Sequence, residues 1–160
     1  MARILIVGGG CRGLKLAREL VAAGDAVRIT TRTDAGRTAI EQAGAQCWVG
    51  DPGRLATLRG VLDGVAVAIW ALGTASGDRD ALRELHDERV GFFSTQAIDS
   101  TVRGLIYESG GAELEMLARG EQVARTVAQR NAIPFEVIHS DPREVESWCE
   151  EALGIVRALL

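Results

Sequence analysis

The sequence predicts a three-layer, doubly wound α/β fold with a six-stranded parallel sheet. Three observations carry that prediction. Short apolar runs alternate with amphipathic stretches along all 160 residues, the pattern of strands and the helices that cover them. Residues 65–72 read Val-Ala-Val-Ala-Ile-Trp-Ala-Leu, apolar throughout, as expected of a strand buried on both faces. The first apolar run passes directly into Gly8-Gly9-Gly10-Cys11-Arg12-Gly13, the composition of a tight turn that opens a helix.

The elements follow in order. Residues 3–7 form the first strand. The helix after the glycine turn sets Leu14, Ala17, Leu20 and Val21 on one stripe and stops at Gly24. Strand two is 26–31. Residues 34–43 read as a short helix ending at Gly44. Strand three is 45–49, closed by Gly50-Asp51-Pro52, and a helix over 54–62 ends at Asp63-Gly64. Strand four is 65–72 and 73–77 is a loop. Residues 78–100 are mostly helical with a break at Gly91. Strand five is 102–108, and Gly110-Gly111 turns the chain. A fifth helix over 113–130 turns Leu114, Leu117, Ala118, Ala124 and Val127 inward. Strand six is 133–139, and the last helix, 142–159, gathers Trp148, Ala152, Ile155 and Val156 on one face. No repeat, linker or low-complexity tract interrupts the pattern, so residues 1–160 are expected to form one domain.

Composition narrows the function classes. With 47% hydrophobic and 25% charged residues, the chain is an ordinary globular one. A net charge of −4 without a basic cluster argues against nucleic acid as partner. No apolar run reaches about 18 residues and no signal-peptide pattern is present, so no membrane partner and a cytoplasmic location are expected. Cys11, Cys47 and Cys149 are odd in number and far apart, without a Cys-x-x-Cys pair. Neither a metal site nor a disulfide framework is expected.

The glycine turn carries the chemistry. A helix that opens this way leaves free backbone N–H groups and a positive dipole end aimed at one spot, which suits a pyrophosphate. Its position after a strand, inside a strand–helix–strand unit of about 30 residues, is what makes the motif informative. In the preferred register Gly8 permits the turn, Gly10 the approach of the pyrophosphate, and Gly13 close helix–strand packing. A second register, Gly9 and Gly13 with Arg12 before the latter, stays open.

The end of strand two selects the cofactor. NAD binders place Asp or Glu there, to accept from the ribose 2′-hydroxyl. Thr30-Thr31-Arg32 stands there instead, with Arg12 as a second cation that could lie nearby. Guanidinium binds phosphate as a planar fork, so NADP(H) is favoured over NAD(H). Arginine makes up 17 of the 18 basic residues, so Arg32 also reads as a solvated turn residue.

The ordered set of motifs resembles the short-chain dehydrogenase/reductase superfamily, nearest its extended and atypical members, the epimerase-like and NmrA-like NAD(P)-binding proteins. The glycine turn is one element. Val49-Gly50-Asp51-Pro52 is similar to the family's Gly-Asp element. Thr101-Val102-Arg103-Gly104-Leu105-Ile106-Tyr107-Glu108-Ser109 is similar to its fifth strand, and the stretch from Ile133-Pro134-Phe135 to His139-Ser140-Asp141-Pro142 to its sixth. The resemblance implies that Asp51, beside Pro52, accepts from the adenine amino group, or else caps the next helix. It implies that Ala71, Leu72 and Gly73 pass the adenosine ribose, and that Ser109 sits where a serine would polarise a substrate carbonyl. Cys11 lies in the same phosphate loop, near the helix N-terminus.

Two departures qualify it. Active members pair a tyrosine with a lysine four residues later at the start of helix five. Here that helix has neither: the one lysine is Lys15 and the one tyrosine is Tyr107. The sequence also stops after strand six, where extended members continue into a substrate lobe. The catalytic residues are therefore unknown, with Ser109, Tyr107 and His139 as candidate assistants. Three readings remain: an atypical oxidoreductase or epimerase-like enzyme on an unknown small substrate, a non-catalytic NAD(P) redox sensor with a protein partner, or a subunit with a vestigial pocket. A homodimer through helices five and six would fit the family.

Overall fold

The computed structural model describes all 160 residues. Six strands form one parallel sheet: β1 (Arg3–Gly8), β2 (Ala26–Thr31), β3 (Gln46–Val49), β4 (Val67–Ala71), β5 (Gly104–Glu108) and β6 (Phe135–Ile138). Their spatial order is β3-β2-β1-β4-β5-β6, every neighbouring pair parallel. Six α-helices cover it: α1 (Gly10–Ala22), α2 (Arg37–Gln42), α3 (Arg79–Glu84), α4 (Val90–Ile98), α5 (Leu114–Arg130) and α6 (Val145–Leu159). This is the doubly wound Rossmann architecture that the alternating pattern predicts. The strand order reverses between β1 and β4, and a crevice opens beyond their carboxyl ends.

The period-two alternation of the central strands divides the core into two layers. Ile4, Ile6, Val27, Ile29, Val67 and Ile69 face one side, where Leu16, Ala17 and Leu20 of α1 and Trp148, Ala152 and Val156 of α6 meet them. Leu5, Val7, Ala68, Trp70, Leu105 and Tyr107 face the other, against Val90, Phe93 and Ala97 of α4 and Ala124 and Ala128 of α5. β4 and β5 are buried at every position.

Several elements differ from expectation, each for a local reason. The helix expected over 54–62 is a single 3₁₀ turn, Leu55–Leu58. The Thr57 hydroxyl donates to the backbone at Asp51 and Arg54 and accepts from the Asp51 N–H, and Gly60 turns into the left-handed region. The break expected at Gly91 lies upstream. Leu85–Arg89 is a π turn in which His86 leaves helical geometry (φ −93°, ψ 16°), whereas Gly91 continues the helix and lets Val123 approach. On α5 the inward face is Met116, Leu117, Gly120, Ala124 and Ala128; Leu114 and Ala118 are exposed. α6 starts at Val145 rather than 142.

Candidate functional site

The loops that leave β1, β2, β3 and β4 enclose a cleft of about 630 Å³. Its floor is the glycine turn. Gly8, Gly9 and Gly10 all have positive φ (81°, 93° and 54°), which only glycine adopts without strain. The Gly9 N–H donates to the Ala71 carbonyl (3.0 Å), and the Gly8 N–H to the Thr30 hydroxyl (3.0 Å), so the turn is stitched to both flanking strands. A Cβ on Gly9 would stand 2.9 Å from Gly13 Cα, and one on Gly13 3.4 Å from both the Gly8 carbonyl and Ile6. Both registers of the motif therefore describe real constraints: Gly9 and Gly13 let the helix close on the strand, while a Cβ on Gly10 would meet the Arg12 guanidinium at 3.5 Å, an ordinary contact.

α1 begins with the Gly13 N–H bonded to the Gly9 carbonyl (2.9 Å). The N–H groups of Gly10, Cys11 and Arg12 precede that bond and have no helical acceptor. No side chain caps this end and its first turn holds no acid. A concentrated positive dipole end thus meets the cleft floor.

Eight of the sequence-predicted residues line the cleft: Gly8, Gly10, Thr31, Arg32, Asp51, Pro52, Ala71 and Leu72. Asp51 Oδ1 accepts from the Gly53 N–H (2.9 Å), a turn cap, and its Oδ2 has no partner. Arg32 is exposed and unpaired. Arg54, which sequence reasoning missed, lines the same cleft and is equally unpaired. Its signal was available only in space, since it lies 22 residues from Arg32.

The other five predicted residues do not line the cleft. Gly13 lies beneath the floor, and the Cys11 side chain is exposed. Arg12 does not join Arg32. It is buried, and its guanidinium holds the Glu108 carboxylate with two bonds of 2.6 Å. It also donates to the Ala71 carbonyl (3.2 Å) and Thr74 hydroxyl (3.3 Å), and lies 5.5 Å over the Trp148 ring. Gly73 donates its N–H to Glu108 Oε1 (2.6 Å), and a Cβ there would overlap the Gly110 carbonyl at 2.0 Å. Its missing side chain makes room for the loop after β5. Ser109 turns toward β6, where its hydroxyl donates to the Ile138 carbonyl (3.3 Å) and meets His139 Nδ1 (3.4 Å); neither lines the cleft.

Tyr107 does not reach the cleft. It is buried on the α4–α5 side of β5, and its hydroxyl lies 3.2 Å from His86 Nδ1. Burial pushes the His86 pKa down to about 4 and the Tyr107 phenol well above its usual value. Sequence reasoning passed over His86 because nothing near it in the chain marks it.

A second cavity, about 520 Å³, adjoins the cleft and shares Thr74, Ala75, Ser76 and Leu82 with it. It opens beyond the carboxyl ends of β4, β5 and β6.

No protein-family model matches the chain, and no curated protein matches it in sequence. Solved structures match its fold. Vestitone reductase from alfalfa superposes with a TM-score of 0.66 at 16% identity, over 86% of this chain and 56% of that one. UDP-glucuronic acid 4-epimerase from Bacillus cereus, in complex with NAD, superposes at 0.67 with 15% identity, over 84% and 54%. BdcA (YjgI) from E. coli superposes at 0.75 with 20% identity, over 99% and 89%. The chain spans little more than half the length of the first two. At these identities the shared property is the fold, the one that the short-chain dehydrogenase/reductase resemblance implies. No helix is long and apolar enough to cross a membrane.

Proposed function

We propose that the chain is an NAD(P)-binding protein, an atypical oxidoreductase or epimerase-like enzyme whose cleft takes NADP(H) in preference to NAD(H). The observation that carries the cofactor preference is the pair of unpaired arginines, Arg32 and Arg54, on a cleft wall where β2 ends without a carboxylate. A 2′-phosphate there would meet two guanidinium forks. The glycine floor, which Gly10 lines, and the free N–H groups at the start of α1 suit the pyrophosphate. Oδ2 of Asp51, which has no protein partner, would accept from the adenine amino group, with Pro52 beside it, while Ala71 and Leu72 would wall the ribose. The named functions of vestitone reductase and the NAD-bound epimerase agree with this reading.

A bound nicotinamide would supply or accept hydride. The chain's own residues bind and orient the cofactor; Arg12, Gly13, Gly73 and Glu108 fix the walls from behind. α5 holds neither Tyr nor Lys, which favours a second reading, a redox sensor whose partner reads the nucleotide state.

Parallel calorimetric titrations with NADPH, NADP⁺, NADH and NAD⁺ test the proposal. Binding of the phosphorylated forms that Arg32→Ala weakens at least tenfold supports it. Absence of binding by all four overturns it. NADPH binding without turnover across a broad carbonyl panel moves the balance to the sensor.

A further inference from the structure

The end of the sheet opposite the cleft carries two arginines that dinucleotide binding leaves unused, Arg3 and Arg103. They line a cavity of about 490 Å³ below the amino ends of β1, β4 and β5. The Ala66 N–H donates to the Arg3 carbonyl (2.8 Å), and the Arg103 N–H to the Ala66 carbonyl (2.8 Å). Ile4 pairs with Val67, and Val67 with Gly104, so Arg3, Ala66 and Arg103 stand in one row across three adjacent strands. Residues in one row share a face of the sheet. The two arginines are therefore two strand spacings apart, roughly 10 Å between backbones, with only the alanine methyl between them.

No carboxylate, side-chain or terminal, forms an ion pair with either guanidinium, and neither has a hydrogen-bond partner in the chain. Asp25 is the one acidic side chain on the wall, and its Oδ1 already accepts from the Ala2 N–H (3.1 Å). Arg3 is half-buried and lies over Gly64, where a Cβ would stand 3.0 Å from Nη1. Its charge reaches the buried Arg28: burial first, and then Arg3, lower the Arg28 pKa, while Asp63 opposes the shift. Positive charges gathered this way repel one another, and an anion between them removes the repulsion. Gly64 and Thr101, on the same wall, add backbone N–H groups without a protein acceptor.

We propose that this cavity is a phosphate-binding site in which Arg3 and Arg103 grip one phosphate group from its two sides, the group being free or carried on a small phosphorylated molecule. A tetrahedral phosphate offers oxygens in both directions, whereas a carboxylate offers a single edge. The missing Cβ of Gly64 gives the Arg3 guanidinium its seat. The volume suits a small molecule rather than a macromolecular surface. The site lies at the far end of the strands from the glycine turn and shares no residue with the cleft.

The test uses the ¹⁵N-labelled full chain without dinucleotide, titrated with inorganic phosphate and with glycerol 3-phosphate while sodium chloride holds the ionic strength constant. The expected result is a saturable shift at the amides of Gly64, Ala66, Thr101 and Arg103. Tighter binding of glycerol 3-phosphate assigns a phosphate ester as ligand, and equal affinity assigns the free ion. Arg3→Gln and Arg103→Gln should each weaken binding there about tenfold, the scale of a charge-assisted hydrogen bond. Arg103 is exposed, so its variant keeps the fold. The amides of Gly9, Gly10 and Cys11 report any phosphate held in the cleft, and their response should be the same in both variants. Absence of a saturable shift at the amino end, sodium acetate binding there as tightly as phosphate, or an affinity unchanged by Arg103→Gln overturns the proposal. These outcomes stand apart from the dinucleotide titrations, whose failure would leave them unaltered.

Discussion

Replacing Arg12 with methionine separates a structural arginine from a phosphate-binding one. Glu108 is 1% exposed and takes two of its three hydrogen bonds from Arg12. Methionine keeps much of the aliphatic stem but leaves that carboxylate with the Gly73 N–H alone. Breaking a buried pair from one side costs about 3–5 kcal/mol, because the remaining charge stays desolvated. With a urea slope of about 2 kcal/mol/M, the midpoint should fall by roughly 2 M. Glu108→Gln keeps an acceptor for Gly73 and should cost less, about 2–3 kcal/mol. The double variant removes both charges, so its cost should fall short of the sum by about 2 kcal/mol or more. Urea unfolding monitored by circular dichroism on the four chains supplies the cycle. A midpoint change below about 0.5 M for Arg12→Met, or additivity within about 0.5 kcal/mol, would refute the reasoning. The ratio of NADPH to NADH affinity should be unchanged in any folded Arg12 variant.

Arg32→Ala and Arg54→Ala should each leave stability within about 0.5 kcal/mol, since both side chains are unpaired. Each should weaken NADPH about tenfold or more and NADH little, read by calorimetry. Gly73→Ala should lower stability by about 3 kcal/mol, seen as a lower melting temperature, because its Cβ overlaps the Gly110 carbonyl. His86 gives a pH signature. Its folded pKa, about 4, lies below the ordinary 6.5, so the unfolded chain takes up a proton first as pH falls. That contribution is intact above about pH 6.5 and shrinks toward pH 4, by up to about 3 kcal/mol. His86→Gln should flatten this part of the stability profile in urea titrations across that range; an unchanged slope would count against a neutral buried imidazole.

The strands were legible because a parallel strand buried on both faces has to be apolar, and β4 and β5 announce themselves in composition alone. The glycine turn was legible because its backbone demands no Cβ at positions close in sequence. What escaped depends on partners far along the chain. Arg12 looks like a phosphate ligand until Glu108, 96 residues later, claims it. The one sign was an acid closing an otherwise apolar strand, which burial obliges to find a cation. The segment 54–62 has helical composition, yet one threonine hydroxyl bonding back to its own backbone diverts it. The π turn leaves no mark in the local sequence, and the residue it displaces from helical geometry, His86, meets Tyr107, 21 residues on.

The ion pair between Arg12 and Glu108 also bears on how the molecule comes apart. It joins the first turn of α1 to the end of β5, across the reversal in strand order, and both ends are desolvated. A piece comprising the first hundred residues would have to solvate Arg12, and the remainder would have to solvate Glu108. Neither half keeps its native interior without the other. Partial opening that separates them exposes two charges at once, which makes such intermediates scarce and the transition all-or-none. Amide exchange on β1 and β5 should consequently report the same free energy, and a chain split in the loop between α4 and β5 should recover its shape only when both fragments are present.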